Sequence, residues 1–373
     1  RSARLAASAR GGGPAGSART MSTSWTAQAT VTASLTAFLY EGFTYNAVFL
    51  GRVLPAVHKD DQVVPFLVLF NVVWGLALWS YLRTSWADPG AVPEEWHDFV
   101  RRAGPALSIA PGMKEWQPGK ATMCRQCTRP RPERAHHCAL CGVCILRLDH
   151  HCPWINNCVG FSNQKFFLLT CLYALLACLT GFLTTVPELA TVTRTMRASL
   201  HGQVTGQDAL LNVEPSDQIA FLAFGALAIF ISMFLAPLLC IQWKLAFNNR
   251  TTIEDNYQNM TNPFDLGTSF QNLSQIFGHF GIDWFLPVHP WRPFVDGVTF
   301  PRYSEGYGGD SRGLIMNGAM SIDDEGFSLQ NGMEDGYDPM LSKTWQPAYG
   351  VSREFTDVMH GEAVWRGGHG GAP

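Results

Sequence analysis

Residues 124–158 read CRQCTRPRPERAHHCALCGVCILRLDHHCPWINNC and contain seven of the ten cysteines of the chain. Cysteine pairs at this spacing, with nearby histidines, are typical of tetrahedral zinc sites, because a tight turn brings both sulfurs to one ion. The donors suffice for two ions. One ion can be held by Cys124, Cys127, His137 and Cys144, and the other by Cys138, Cys141, His151 and Cys158. Cys152 is then left over as a candidate nucleophile.

Within this frame of zinc ligands, residues 149–154 (DHHCPW) resemble the signature of the DHHC family of protein S-acyltransferases, also called palmitoyltransferases. The resemblance extends over about residues 88–278 and agrees with two interleaved zinc sites. It includes DPG at 88–90 and TTIE at 251–254, which resembles the TTxE motif of the family. By itself, a Thr-Thr-x-Glu run is also typical of a helix capping box.

Nucleophilic chemistry explains why a cysteine, a histidine and an aspartate would stand together. A thiolate attacks thioesters well, but a free thiol is mostly protonated at neutral pH. Adjacent histidines point apart, so one can bind zinc while the other contacts the cysteine. We assign His151 to zinc, His150 as the base, Asp149 as the group that orients the base, and Cys152 as the nucleophile. Alternatively, Cys152 is a spare buried thiol and His150 only supports the metal ligands.

Four apolar segments, at about residues 30–56, 63–86, 166–190 and 218–243, are the candidates for membrane spans. The last three each have about 20 apolar residues, enough to cross a bilayer core. Glu41, Asn46 and Arg52 interrupt the first, and Pro237 predicts a kink in the fourth. Each segment alone could be a buried helix of a large soluble protein. Together they predict an all-α polytopic membrane protein with four transmembrane helices and a small zinc-stapled, cysteine-rich cytosolic domain between spans two and three.

Lys and Arg concentrate in the cysteine-rich loop, so we expect this loop and both termini to face the cytosol. A reducing cytosol also keeps thiols free for zinc and for catalysis. The resemblance implies an endomembrane (Golgi or ER) or plasma-membrane location. The expected division is a disordered leader or tail at 1–28, spans one and two at 29–87, the cytosolic domain at 88–165, spans three and four at 166–243, a cytosolic segment with an amphipathic helix at 244–302, and a disordered tail at 303–373.

The resemblance also implies the reaction and its partners. A long-chain acyl group, palmitoyl and also stearoyl, would pass from acyl-CoA to cysteines of cytosolic or membrane-associated proteins. Two structural zinc ions and a lipid bilayer are expected, and the net charge of -3 suggests no nucleic-acid partner. A catalytically silent zinc scaffold and a transporter with a zinc-binding loop are the rival classes. The intact DHHC run disfavours the first, and the scarcity of ionisable residues in the spans disfavours the second.

Further residues follow from the same reading. Four basic residues of the cysteine-rich region, Arg131, Arg134, His136 and Arg147, are candidates to bind the phosphates of CoA, although a solvated basic face is an equal alternative for each. By resemblance, a position on the third span closes the groove for the acyl chain, the Thr252 hydroxyl lies near Asp149, and Asn272 braces the fold. The acyl-CoA candidates are Arg131, Arg134, His136, Arg147 and Trp154, and the groove candidates are Ala174, Ala177 and Gly181.

Overall fold

Long helices form most of the computed structural model, which describes residues 25–202, 213–303, 314–315, 345–346 and 348–351. The first helix continues without a break through a π-helix, Thr44–Val53, into one further α-helical turn. The helices are α1 (Trp25–Phe43), α2 (Leu54–Ala56), α3 (Val63–Trp86), α4 (Glu94–Ala103), α5 (Gln164–Leu200), α6 (Pro215–Phe247) and α7 (Ser269–Phe277).

Three helical segments in the described chain are long and apolar enough to cross a membrane: Asp60–Trp86, Gln164–Leu200 and Pro215–Phe247. They coincide with the second, third and fourth predicted spans, and α5 and α6 extend beyond the predicted ends. The first predicted span is helical but is not among them. Its polar residues, such as Glu41 and Asn46, lower its apolar character, and part of it is the π-helix.

An aromatic layer fills the bundle at the end that carries the π-helix. The Tyr45 ring stacks on Phe70 with centroids 3.8 Å apart, and Phe224 packs beside them. Gly181 lies against this layer, because a Cβ atom there would be 3.0 Å from Phe224 and 3.2 Å from Phe70. The expectation that Gly181 leaves open space for an acyl chain is therefore wrong. The aromatic rings, which lie far from residue 181 in the sequence, occupy that space.

The cysteine-rich region is built from short strands, so the fold is not all-α. Strands β1 and β2 pair in parallel, and β2 and β3 pair antiparallel. Two separate hairpins, β4–β5 and β6–β7, follow. The strands are β1 (Ile109–Pro111), β2 (Ala121–Cys124), β3 (Arg129–Arg131), β4 (His136–Cys138), β5 (Val143–Ile145), β6 (His150–Cys152), β7 (Asn157–Val159), β8 (Arg302–Tyr303) and β9 (Leu314–Ile315).

Helix α7 packs on the protein through Leu273, Ile276 and Phe277, which join an apolar cluster with α3, α5 and α6. Asn272, in the same helix, accepts a hydrogen bond from the Leu266 N–H (2.9 Å). Its amide also donates to the Phe247 carbonyl (2.8 Å), at the last residue of α6. Asn272 thus ties α7 to the end of α6.

A short part of the expected disordered tail is packed. Trp345 and Tyr349, each 3 % exposed, pack against Trp96 and Phe99 of α4. The Trp345 indole donates to Asp296 (2.7 Å), and the Tyr349 hydroxyl donates to the Val298 carbonyl. The expectation of disorder is wrong for these residues, because two aromatic side chains one helical turn apart carry enough apolar area to bury. Most of the remaining tail, like residues 1–24, lies outside the described residues.

Candidate active site

Two hairpins of the same design carry the histidine ligands. In β4–β5, His137 pairs with Cys144, and in β6–β7, His151 pairs with Cys158. Strand pairing places the two side chains of such a directly opposed pair on one face of the hairpin. Each hairpin therefore presents one imidazole and one thiol side by side.

The first set of donors is completed by the Cys124 and Cys127 thiols. Cys127 Sγ lies 3.2 Å from His137 Nδ1 and 3.8 Å from Cys144 Sγ. All four donor atoms lie within 4.8 Å of one another. Three thiols and one imidazole at this separation can hold a tetrahedral zinc ion.

The second set has the same composition and the same compactness. Cys141 Sγ lies 3.5 Å from Cys158 Sγ, and His151 Nδ1 lies 3.4 Å from Cys141 Sγ. Cys138 completes the group, and its donor atom also lies within 4.8 Å of the others. Two cysteine-histidine clusters that can hold metal ions are therefore present, and Cys152 belongs to neither.

Asp149 and His150 form a short hydrogen bond next to the second cluster. His150 Nδ1 lies 2.6 Å from Asp149 Oδ2, and the aspartate side chain is buried. Burial opposes the charged imidazole, but hydrogen bonds with Asp149 and Cys152 outweigh it and raise the pKa of His150 to about 9. Burial likewise opposes the carboxylate, yet the bonds from His150 and Thr252 keep the pKa of Asp149 below its usual value.

The TTIE segment supplies the remaining partners of Asp149. The Thr252 N–H donates to Asp149 Oδ1 (2.7 Å), and the Thr252 hydroxyl donates to Oδ2 (2.9 Å). Gln242, near the end of α6, lies 3.4 Å from both Asp149 Oδ2 and the Thr252 hydroxyl. Our sequence reasoning missed Gln242, although a polar residue within a long apolar helix is a signal of function or of a specific contact.

Cys152 lies at the end of β6, where the hairpin meets the helices. Its side chain is 6 % exposed and packs with Ile155, Phe167 and Cys171, and Tyr81 of α3 belongs to the same cluster. The site is therefore apolar on the helix side and polar on the His150 side. An apolar chain attached to the Cys152 sulfur would have apolar neighbours at once.

Helices α1 and α3 hold the loop after Cys152. The Thr30 hydroxyl donates to the Pro153 carbonyl (2.6 Å), and the Tyr81 hydroxyl donates to the Trp154 carbonyl (2.9 Å). The Trp154 side chain is 59 % exposed, so it remains available to a ligand or to lipid. The contact with α1 shows that the first helix is part of the site, which its weak apolar pattern did not indicate.

Buried pairs account for two of the four cations predicted to bind CoA. Arg134 forms two 2.7 Å hydrogen bonds with Glu254, and both side chains are 1 % exposed. Arg147 is equally buried and donates to Asn249 (2.7 Å). Neither guanidinium faces solvent, so the expected contact with CoA phosphates is wrong for Arg134 and Arg147. Instead, Arg134 ties Glu254 of the TTIE segment to the start of β4, and Arg147 ties Asn249 to the start of the second hairpin.

The other two cations, Arg131 and His136, line a cavity of about 30 Å³ beside Arg134 and Glu254. This volume suits about one water molecule and is far too small for CoA. Burial, together with the charge of Arg131, lowers the pKa of His136 to about 4, so the imidazole is neutral at pH 7. Both side chains are half-buried beside Glu254 of the TTIE segment, and their contact with CoA stays a prediction.

The proposed groove residues on α5 do not share one environment. Ala174 packs with Ala77 of α3 and Leu273 of α7. Ala177 is 2 % exposed, and Gly181 lies against the aromatic layer. Along α5, Ala174 and Ala177 both lie between Cys171, in the cluster around Cys152, and Gly181 at the aromatic layer, but Ala174 faces the cluster with α7.

Comparison with known proteins agrees with this site. Residues 117–259 match the family model described as DHHC palmitoyltransferase, and they include both metal clusters and the TTIE segment. Palmitoyltransferase ZDHHC15 of Xenopus laevis is 32 % identical over 282 residues, covering 69 % of this chain and 78 % of the relative. Probable protein S-acyltransferase 13 of Arabidopsis thaliana is 33 % identical over 278 residues, covering 71 % and 88 %.

Palmitoyltransferase ZDHHC2 of Homo sapiens is 29 % identical over 285 residues, which cover 70 % of this chain and 72 % of the relative. The similarity thus extends well beyond the cysteine-rich region, into the helices on both sides. The DHHC run, the two metal-binding clusters and the relatives agree on one conclusion. The chain belongs to the DHHC palmitoyltransferase family and is a protein S-palmitoyltransferase.

Proposed function

We propose that this chain transfers a long-chain acyl group, palmitoyl or stearoyl, from acyl-CoA through an acyl-Cys152 intermediate to cysteines of cytosolic or membrane-associated proteins. The observation that carries the proposal is the arrangement around Cys152. It belongs to neither metal-binding set, it contacts His150, and His150 is bonded to the buried Asp149. A nucleophile, a base and an orienting carboxylate in this order are the groups that acyl transfer requires.

The reaction runs in two steps. The Cys152 sulfur attacks the thioester carbonyl, its proton passes to His150, the carbon–sulfur bond to CoA breaks, and the CoA thiolate takes the proton from His150. A substrate thiol then gives its proton to His150 and attacks acyl-Cys152, the bond from the acyl carbon to Cys152 breaks, and the Cys152 thiolate takes the proton back from His150. Asp149, fixed by Thr252, keeps His150 in one orientation during both steps.

Two structural zinc ions complete the proposal. Each cluster offers three thiols and one imidazole, the donor set that tetrahedral zinc prefers. Bound zinc would have no open position for chemistry there, so it supplies rigidity. Because β6 carries both His151 and Cys152, fixing His151 fixes the orientation of the nucleophile.

We further propose four membrane spans, with the cysteine-rich region and both termini in the cytosol of a multi-pass protein. The first span would be the helical run from α1 through α2, which packs against the other helices. Its Tyr40 hydroxyl donates to the Ala220 carbonyl of α6, and Glu41 meets Cys178 of α5. The excess of Lys and Arg between α3 and α5 supports the cytosolic orientation. Endomembrane or plasma-membrane residence follows from the family resemblance.

One assay tests the reaction. Purified protein is incubated with a clickable palmitoyl-CoA, and we expect a hydroxylamine-sensitive label on the chain that a cysteine-containing protein substrate then removes. A thioester is cleaved by hydroxylamine, whereas an amide is not. Absence of label would reject the acyl-enzyme step, and label that cannot leave the chain would reject transfer.

The acyl chain, in this proposal, runs from Cys152 past Phe167 and Cys171 towards Ala177 and ends at the aromatic layer. The first two residues already pack with Cys152. Keeping the chain there avoids about 0.8 kcal/mol of hydration cost for each CH₂.

Competition among acyl-CoAs of graded length tests this path. We expect Ala177→Tyr to shift preference towards shorter chains without abolishing transfer, because the ring would collide with a full-length chain. Leu176→Tyr is the matched control, since Leu176 is 40 % exposed on the outer face of the same helix turn. Identical length profiles for wild type and Ala177→Tyr would remove the third span from the path. Wild-type use of stearoyl-CoA tests the stearoyl part directly.

A further inference from the structure

Residues 279–292, here called the aromatic loop, form a closed loop after α7. The His279 N–H donates to the Arg292 carbonyl (2.9 Å), which ties the two ends together. Inside the loop, the Trp284 indole donates to the Gly278 carbonyl, and its ring packs on Phe277 with centroids 5.1 Å apart. A loop held at its ends and filled by its own side chains has a defined outer face.

That outer face is strongly apolar. Four large side chains of the loop are more than half exposed, although the loop that carries them is held in place. Such a concentration of apolar surface in a water-facing position would be unfavourable and marks an interaction site. The four are Phe280 at 55 %, Ile282 at 65 %, Phe285 at 55 % and Trp291 at 63 %.

The loop lies beside the start of α5, which is the end of that helix nearest the cysteine-rich region. The Tyr173 hydroxyl donates to the Phe285 carbonyl (2.7 Å). Tyr173 lies about 13 Å along α5 from its first residue, and helical side chains lean towards the helix start. Phe285 therefore lies alongside the first turns of a helix that is long and apolar enough to cross a membrane. The loop therefore covers the buried first turns of α5, and its own outer face is the exposed apolar surface at this end of the helix.

Basic side chains lie at the base of the loop, and of Arg83 and Lys165 only Arg83 carries an unpaired charge among the described residues. The Arg83 guanidinium lies 4.8 Å from the centroid of the Phe166 ring, and the His289 ring lies 5.1 Å from the same centroid. Lys165 is buried and paired with Asp283 (3.5 Å), which also accepts from the Trp291 N–H. Burial and the charges of Arg83 and Lys165 lower the pKa of His289. Within the described residues, Arg83 has no carboxylate partner.

We propose that the aromatic loop inserts into the cytosol-facing leaflet of the bilayer and that Arg83 and His289 receive the phosphate of an anionic phospholipid headgroup. The apolar residues enter the acyl boundary, and the Arg83 guanidinium and the His289 imidazole, as a hydrogen-bond donor, lie at the level of the phosphates. The proposal rests on the membrane placement given above. It adds a second type of membrane contact, which the spans alone do not provide.

Photocrosslinking of the full chain in nanodiscs tests the insertion. The crosslinker p-benzoylphenylalanine replaces Ile282 or Phe285 in the loop. Two further variants are controls: Leu69, on the exposed face of α3, reports a position inside the membrane, and Ile109, on β1, reports a position outside it. We expect lipid adducts from the two loop positions and from Leu69, and no lipid adducts from Ile109. Lipid adducts from Leu69 alone would overturn the inference, and adducts of the loop with a co-purified protein would identify a protein partner instead. Absence of adducts at Leu69 as well would reject the membrane placement itself.

Lipid composition tests the anion site. In nanodiscs of phosphatidylcholine with about 20 % phosphatidylserine, the Phe285 position should yield phosphatidylserine adducts above the share of this lipid by about fivefold, the effect of the one full charge on Arg83. The double variant Arg83→Gln with His289→Gln should lose this enrichment and keep the adduct with phosphatidylcholine. Arg101→Gln, exposed on α4, is the matched control and should keep it. Enrichment that survives the double variant would overturn the assignment of Arg83 and His289.

Discussion

The hairpins β4–β5 and β6–β7 share one sequence plan and differ in what they do. Residues exactly fourteen positions apart correspond: each hairpin starts with His-His-Cys, and in each the second histidine pairs with a cysteine seven residues later. The plan extends to the preceding Cys-x2-Cys pair. The corresponding residues are His136 and His150, His137 and His151, Cys144 and Cys158, Cys127 and Cys141, and the series Cys124, Cys138 and Cys152.

Two of the differences between the hairpins bear directly on their chemistry. Cys138 has Cys141 as its partner three residues later, whereas Cys152 has Ile155, so no third metal-binding pair forms. Ala135 corresponds to Asp149, so only the second hairpin has a carboxylate directly before its first histidine in the sequence. Relative to a third metal-binding pair, the second hairpin lacks one ligand at Ile155 and has an additional acid at Asp149, and this leaves Cys152 as a candidate nucleophile.

The largest expected effect comes from exchanging the sulfur in each hairpin. Cys152→Ser should abolish self-acylation while keeping two zinc ions per chain, because this thiol belongs to neither cluster. Cys138→Ser should lower the zinc content to one ion and destabilise the domain, since metal binding and folding are linked. Elemental analysis and the click assay measure both, with Cys240→Ser as the control for an exposed cysteine outside the clusters.

Label that persists on Cys152→Ser would move the nucleophile elsewhere, to Cys171 or Cys178. A wild-type ratio near one zinc ion per chain would break the equivalence of the two clusters.

The acid that distinguishes the second hairpin should have the next largest effect. Asp149→Asn keeps the shape but removes the charge that orients His150, so transfer should fall by about 10²- to 10⁴-fold. Zinc content should remain at the wild-type value. A single-turnover measurement with palmitoyl-CoA gives the rate. Unchanged turnover would mean that the two hairpins differ only in their spare thiol.

Thr252→Ala should have a smaller effect in the same direction. It removes the hydroxyl that donates to Asp149 but leaves the backbone N–H bond in place. Loss of one hydrogen bond to a charged group corresponds to about a tenfold lower rate. Thr252→Ser should restore the rate, because serine carries the same hydroxyl. A serine variant as slow as the alanine variant would indicate that the threonine acts through packing.

The smallest effect should come from restoring the missing ligand. Ile155 packs against Cys152, as the second cysteine of a metal-binding pair would. Ile155→Cys should therefore make transfer sensitive to added zinc, with recovery after a chelator, while Ile155→Ser and wild type stay insensitive. Two ligands bind zinc weakly, so partial inhibition is expected. Zinc-insensitive transfer by Ile155→Cys would mean that the loop after Cys152 cannot adopt the turn of the first hairpin.

Local signals in the sequence predicted much of this molecule. Ligand spacing alone gave both metal-binding sets, because a hairpin brings residues seven apart together without help from the rest of the chain. Apolar length gave α3 at its observed bounds, Val63–Trp86. The fourteen-residue repeat was also visible in the sequence, but we recognised it only from the matching strand pairs.

Contacts between distant parts of the chain were the limit. Arg134 lies 120 residues from Glu254, so its charge looked available for a ligand until the pairing was seen. Gly181 read as open space because Phe70 and Phe224 lie on other helices. The average composition of the tail did not indicate that Trp345 is buried, since one aromatic residue hardly changes the mean hydropathy of a Gly-rich stretch. Helix-to-helix packing, rather than local preference, decides each of these cases.

The docking of Trp345 and Tyr349 on α4 also sets an order of events during synthesis of the chain. The last metal ligand, Cys158, leaves the ribosome roughly 190 residues before Tyr349. At cellular translation rates this is about ten to forty seconds, during which α5 and α6 must also enter the membrane. Throughout that interval Trp96 and Phe99 lack the side chains that cover them in the finished protein. The newborn domain therefore passes through a stage in which its metal ligands are complete and its apolar surface is open, which is the stage at which a chaperone would recognise it.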